Sequence, residues 1–311
     1  MSLSTSSSTR STACSTHGSV QLAPSELVDT LDAPVRRRLG FAFWLAVAWI
    51  VLVIGLAVLA PVLRLADPDK ILHGQPGEGL LSGRNWLGTD DAGRDLLSRT
   101  IWGSRVSLLI GFASVAIGFV VGGLTGMIAG YRRGWLERIV VGAYDVMLAF
   151  PSLVLALLLL TFLGRDLGIV LLVIGVLSIA PIGRLARANT VAIASREFVL
   201  AARALGATAA RTMRREILPN VVFALGGLAL LGSAIAIIAE GGLAYLGLSV
   251  KDPTLTWGKL ISSGSSGSIL RDYPLAAFVP IMHLLLTVFS VNFIGDRLRQ
   301  HFQTREGLSA G

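Results

Sequence analysis

Residues 196–220 read REFVLAARALGATAARTMRREILPN, a polar, arginine-rich passage set between two strongly apolar stretches. The opening residues are rich in Ala, Leu and Arg, which favour helix, and Gly206 stands where a helix closes on a left-handed residue. Residues 207–217 are again compatible with helix. Pro219 suits the first turn of a following span, where its missing N–H leaves no bond unmade. The expectation is helix, turn, helix, then membrane. Val199, Ala202 and Leu205 recur at spacings of three, so the first helix is expected to turn a small-residue face toward a groove while its arginines stay in water. That is helix-in-groove docking geometry, a handle for a partner.

Composition sets the class independently. The chain has 311 residues, 53% of them hydrophobic and 15% charged, with a mean hydropathy of +0.70, too apolar for an ordinary soluble domain. Apolar stretches long enough to cross about 30 Å of hydrocarbon as helix lie near 41–63, 105–130, 139–163, 167–183, 221–247 and 275–295. The reading is an all-α membrane protein with about six transmembrane helices. Residues 36–64 hold the first span, 65–104 an external loop with an amphipathic helix, and 105–297 a five-span core containing a loop at 184–219. Seven arginines lie between Arg184 and Arg215, with Arg36 to Arg38, Arg132, Arg133, Arg138, Arg297, Arg299 and Arg305 on the same side of the proposed topology. By the positive-inside rule, both termini and the elbow are expected in the cytoplasm.

That topology accounts for the net charge of +8 and leaves no case for nucleic-acid binding. Residues 1–35 form a Ser/Thr-rich tail expected to be disordered, and 298–311 a short cytoplasmic tail. The tail does not read as a signal peptide, since the first apolar run begins only at Phe41. Cys14, the sole cysteine, reads as a thiol without a supporting constellation.

The 196–220 passage resembles the coupling loop of ATP-binding cassette importer permeases: Glu-Ala-Ala, three residues, Gly, nine residues, Ile, one residue, Leu-Pro. Ala201, Ala202, Gly206, Leu218 and Pro219 match; Leu200 and Glu216 replace the glutamate and isoleucine, with Glu197 and Ile217 close by. Together with the neighbouring Arg196, Arg203 and Arg211, these residues are the candidate ATPase-coupling set. Residues 85–111, NWLGTDDAGRDLLSRTIWGSRVSLLIG, are similar to the segment preceding the core of C-type permease subunits in dipeptide, oligopeptide and nickel importers. Residues 237–257, IIAEGGLAYLGLSVKDPTLTW, and DVMLAFPSLVLAL from Asp145 also match that family. Leu96, Leu97, Ile101 and Trp102 are expected on the membrane-surface helix.

The resemblance implies a type I importer permease fold and a substrate of dipeptides or oligopeptides. Its implied partners are a second homologous permease, two ATPase subunits or one fused ATPase chain, an extracytoplasmic binding protein and membrane lipid. ATP and Mg would reside in the ATPases, with no cofactor on this chain, in a bacterial plasma membrane. Nickel chelates, glutathione-like compounds and short sugars stay open as substrates.

Asp145 and Glu240 stand inside apolar spans, where ionised groups are costly, and are candidates for the translocation pathway or for anchoring a neighbouring helix. They are also the only support for an ion-coupled secondary transporter. His283 has no second ligand at metal spacing, so no metal site is expected. Gly118, Gly122, Gly126 and Gly130 form a one-sided ladder, a packing seam against a helix of this chain or of another subunit. Pro151 is expected to kink the third span. No G-x-x-x-x-G-K-[ST], H-E-x-x-H, G-x-S-x-G or C-x-x-C motif occurs, which leaves an enzymatic reading without its parts.

Overall fold

The computed structural model describes residues 40–63, 65–71, 75–82 and 85–308, the last eight as backbone alone. The expectations for residues 1–35 and Cys14 lie outside the described residues. Regular structure among the described residues is helical, with only two isolated bridges. In chain order the helices are α1 (Phe41–Leu59), α2 (Leu96–Arg132), α3 (Gly134–Ala149), α4 (Ser152–Leu163), α5 (Leu167–Ala194) and α6 (Glu197–Ala204). There follow α7 (Ala209–Thr212), α8 (Leu218–Tyr245), α9 (Trp257–Gly264), α10 (Gly267–Asp272) and α11 (Leu275–Leu308).

Five helices are long and apolar enough to cross a bilayer, and α3 with α4 makes a sixth, broken crossing. The break is sharper than the expected kink: the two halves meet at 87°. Phe150 is driven to extended backbone (φ −93°, ψ 137°) by the proline that follows it, and Pro151 is extended too (ψ 121°). Two extended residues in succession end one helix and restart another.

The span of α2 also departs from expectation. It begins at Leu96 and runs unbroken for 37 residues, so there is no separate membrane-surface helix before residue 105. Asp95 caps it by accepting a hydrogen bond from Ser98 N–H (3.0 Å). Leu96 and Ile101 are buried against the protein, not laid on lipid, although Leu97 and Trp102 are partly exposed.

Helix α2 is central and touches α1, α3, α5, α8, α9 and α11, with α5 its most extensive neighbour. The glycine ladder makes that contact, within one chain. A Cβ built on Gly118 would fall 2.6 Å from Cβ of Ser178, and one on Gly130 2.8 Å from the carbonyl oxygen of Arg187. At Gly122 and Gly126 it would collide with the carbonyl oxygens of Ile179 and Gly183. Lipid tails offer no hydrophobic drive for helix association, so backbone proximity and van der Waals contact must supply it. Ile110, Val115, Val173, Ile174, Ala236 and Leu243 then fill the space among α2, α5 and α8.

Gly126→Leu is expected to lower the midpoint of thermal unfolding of the detergent-solubilised protein markedly, an overpacking cost of about 1–3 kcal/mol or more. Gly123→Leu, on the same helix with open space beside it, should leave the midpoint nearly unchanged. Equal behaviour of the two variants in a scanning fluorimetry comparison would contradict the seam.

Candidate functional site: the helical elbow and its braces

Helix α5 ends at Ala194, and Arg196 (φ −73°, ψ 149°) starts α6. At the far end Gly206 takes φ +85°, as expected for a left-handed closing residue. Its N–H donates to Arg203 O (2.9 Å) and the Ala207 N–H to Ala202 O (3.0 Å), satisfying the helix's last carbonyls. Thr208 then opens the second arm, its Oγ1 accepting from Arg211 N–H (3.4 Å).

The second arm differs from the expected separate helix. Residues Ala209–Tyr245 run as one helical rod, passing through a π-helical turn at Met213–Ile217. Leu218 N–H reaches back to Met213 O across that turn, and Pro219 sits in the first turn beyond it. Proline inside an α-helix loses a donor and crowds the carbonyl four residues back. The wider turn immediately ahead of it accommodates both defects without breaking the rod.

The outward face of α6 agrees with the expected one at Leu205 and differs at Val199. Val199 is fully buried and packs with Ile193, Ile217, Met127, Val221 and Leu225. It ties the elbow to the bundle and offers nothing to a groove. The outward ridge consists of Phe198, Ala201 and Leu205, at spacings of three and four, with Leu205 89% exposed. Ala202 is half-buried between the two faces, and Glu197 is exposed. Arg203 does not simply extend into water: its guanidinium lies 4.7 Å from the ring centroid of Tyr131, at the end of α2. Ile217 is wholly buried, Leu218 half-buried, and Pro219 exposed, so the three anchor the rod's start by degrees. Phe198 and Tyr131 escaped the sequence reading; the signal available for Phe198 was its spacing to Ala201 and Leu205.

Two ion pairs brace α3 against α5 at this end. Arg187 Nε donates to Glu137 Oε1 (2.7 Å), and Arg184 pairs with Asp145. Asp145 and Arg184 are each about half exposed, so the pair stands at the rim of the subunit.

Glu240 lies at the opposite end of α8 and has no exposed surface. Its Oε1 accepts from Ser249 Oγ (2.6 Å) and Thr256 Oγ1 (2.7 Å). Next along, Trp257 N–H donates to Ser107 Oγ (2.9 Å) and its Nε1–H to Thr100 O (3.0 Å). The segments 85–111 and 237–257 therefore meet through one buried chain of bonds, α8 to the 249–256 loop to α9 to α2. Ser249 and Thr256 were not foreseen as partners of Glu240. At the same end, Asp90 accepts from Ala92 and Arg94 N–H (both 2.9 Å) and from Arg94 Nε (2.7 Å), which folds the TDDAGR passage over the start of α2. The Asn85 amide and the Gln75 N–H hold the Glu78 carboxyl below the usual carboxylate range.

Among the described residues no three His, Cys, Asp or Glu side chains stand close enough to hold a metal ion. What the arrangement offers is mechanical: a braced, solvent-facing elbow whose second arm runs unbroken into a membrane rod. These features define a polytopic helical membrane subunit.

The family described as binding-protein-dependent transport system inner membrane component matches residues 122–306, and the chain belongs to that family. The chain is 34% identical to the dipeptide transport system permease protein DppC of Alkalihalophilus pseudofirmus, covering 78% of this chain and 79% of the relative. It is 32% identical to the oligopeptide transport system permease protein OppC of Bacillus subtilis (86% and 87%). To the glutathione transport system permease protein GsiD of Pectobacterium atrosepticum it is also 32% identical (81% and 83%). Its fold is similar to that of a chain in inward facing conformations of the MetNI methionine ABC transporter, with a TM-score of 0.55 at 19% identity, covering 65% of this chain and 95% of that one. The chain is therefore a multi-pass inner membrane permease and not an enzyme; as a member of this family it works with an ATPase and a substrate-binding protein.

Glu240→Leu leaves the Ser249 and Thr256 hydroxyls without their acceptor, at about 1–3 kcal/mol for each buried group. Hydrogen exchange across 249–257 is expected to quicken and thermal stability to fall. Glu240→Gln retains an acceptor oxygen and should remain near the wild type; identical exchange in the Leu variant would count against the anchoring role.

Proposed function

We propose that this chain carries dipeptides or oligopeptides across the bacterial plasma membrane as one permease of an ATP-driven importer. It pairs with a second homologous permease, and each permease seats one ATPase, whether the ATPases are two chains or one fused chain. These partners bind ATP and Mg, and an extracytoplasmic binding protein delivers the substrate. The elbow and both termini face the cytoplasm, as the arginine distribution favours.

The observation that carries the reading is the ridge of Phe198, Ala201 and Leu205, exposed on a short helix whose other face is locked into the bundle by Val199. An apolar ridge on a braced helix suits docking into a partner's groove. The second arm runs on into the Ala209–Tyr245 rod and Val199 holds α6 to the same bundle, so displacement of the elbow is passed to the span as a rigid-body movement. Closure of the ATPases would swing the spans outward-facing, and hydrolysis would return them. The peptide substrate rests on the relatives' names, and the glutathione permease makes a peptide-like thiol the nearest alternative. Nothing favours an ion-coupled carrier: Glu240 is enclosed, and Asp145 is committed to Arg184. Asp145 and its partner suit the rim of the route at the arginine-rich end, with Glu240 holding the frame at the other.

Gly206→Pro, incompatible with φ +85°, and Phe198→Glu with Leu205→Glu are each expected to reduce peptide uptake to background and release the ATPase on copurification. Membrane insertion should persist. In a Cys14→Ser background, Leu205→Cys should react with an impermeant maleimide in inside-out vesicles and resist it in intact cells. Labelling from the outside would overturn the orientation, and undiminished uptake by the elbow variants would overturn the coupling role.

A further inference from the structure

Arg105 is an exposed cation with no carboxylate within ion-pair distance among the described residues; its guanidinium instead lies 5.1 Å from the ring centroid of Trp102. It lines a cavity of about 550 Å³ bounded by the chain leaving α1, the first turns of α2 and the loop ahead of α9. The elevation of this cavity follows from the sequence of α2. The 26 residues between Arg105 and Arg132 carry no charge. At 1.5 Å per residue they extend for about 39 Å, somewhat more than the ~30 Å hydrocarbon layer. Arg105 and Arg132 thus sit at the two headgroup levels, and Trp102 is an aromatic of the kind that favours that level.

The cavity has both signs of charge. Asp67 and Asp69 line it beside Arg105. Asp67 Oδ1 accepts the Asp69 N–H (3.0 Å), which holds the Asp67 carboxylate against the backbone of the same turn. Asp69 is 55% exposed and shares its charge only loosely with Arg99, 3.8 Å away. Leu63, Leu65 and Val106 supply an apolar wall on the same cavity.

We infer that this cavity is a binding site for an aminophospholipid, a lipid with an anionic phosphate and a primary ammonium group in one headgroup. The phosphate seats on Arg105, and the ammonium donates to Asp67 and Asp69. The first part of an acyl chain follows Leu63, Leu65 and Val106. The charges explain the selectivity. A purely anionic glycerol headgroup meets Arg105 but brings nothing for the two aspartates. A choline headgroup carries the right charge but has no N–H to donate. The location places the lipid where the end of α1, the start of α2 and the α9 loop meet.

The test uses the full-length chain in detergent, titrated with phosphatidylethanolamine, phosphatidylglycerol and phosphatidylcholine of identical acyl chains and read by native mass spectrometry. Phosphatidylethanolamine occupancy should exceed the other two about tenfold, the scale of a charge-assisted hydrogen bond. Arg105→Gln should bring it to the phosphatidylcholine level, and Arg105→Lys should retain most of it. Asp67→Asn with Asp69→Asn, both at exposed positions, should equalise phosphatidylethanolamine and phosphatidylglycerol. Glycerophosphoethanolamine, the same headgroup without chains, should compete at least about tenfold more weakly. Equal occupancy by the three lipids, a preference for phosphatidylglycerol, or indifference to both the arginine and the aspartate variants would overturn the proposal. Equal competition by the chainless headgroup would overturn the lipid as its source.

Discussion

The structure depends on how closely the backbones of α2 and α5 approach one another. Carbonyl oxygens of α5 occupy the space that side chains at Gly122 and Gly126 would need. In water such an approach would compete with burial of larger apolar groups, but in lipid the tails are as apolar as leucine and the helix pair gains by contact alone. The seam is therefore a structural choice suited to the bilayer. Tyr144 on α3 packs against Gly183, and its hydroxyl lies 2.7 Å from Oγ1 of Thr125. Glu137 and Asp145 add ion pairs to the same α5. The broken crossing of α3 and α4 is thus held by the helix pair and needs little intrinsic stability.

The elbow inherits its rigidity from that pair. It emerges from the C-terminal end of α5, places Val199 among residues of α2, α5 and α8, and lays Arg203 on Tyr131 at the end of α2. A docking helix tethered only by its two ends would yield to a partner's push. One bonded on its inner face to three helices must carry them with it. The Ala209–Tyr245 rod of 37 residues extends that connection, over about 47 Å from Ala209, to the buried Glu240 and the loop it holds.

Much of this was legible in the chain. Span number, the closing role of Gly206, the glycine ladder and the elbow itself follow from local pattern, because a membrane demands complete helices and a left-handed closure favours glycine. Orientation of faces was not legible. Val199 and Phe198 are adjacent apolar residues on a short helix, and periodicity alone does not say which face meets the bundle. That depended on Ile217 and Val221, which are distant in sequence. The start of α2 hides its burial for a related reason: in LLSRTIW, Leu96, Leu97, Ile101 and Trp102 alternate with polar residues, the pattern of an interfacial helix. Ser98 Oγ donates to Ala66 O (2.5 Å) and Arg99 Nη1 to Pro68 O (2.8 Å), so those polar groups are satisfied by a loop about thirty residues earlier. Likewise, Pro219 implies a helix start only if the preceding turn is α-helical, and a π turn removes that condition.

Glu240 has the broadest mechanical consequence. Burial of a carboxyl group far from water costs several kcal/mol unless its oxygens are engaged, and here one oxygen takes two hydroxyl donors while the other has no hydrogen-bond partner. Apolar residues in place of the carboxyl and both hydroxyls together would fill the same space at lower cost, but they would not select one position for the 249–256 loop. The two hydroxyls do, because each must lie within bonding distance of the same oxygen atom. Directional bonds fix the loop to the rod at one end, as Val199 and Arg203 fix the elbow to the bundle at the other. A rod that must report the movement of one end at the other needs both joints to resist sliding, and hydrogen bonds oppose sliding where apolar contacts alone permit it. The carboxyl group therefore makes the loop move with the helix.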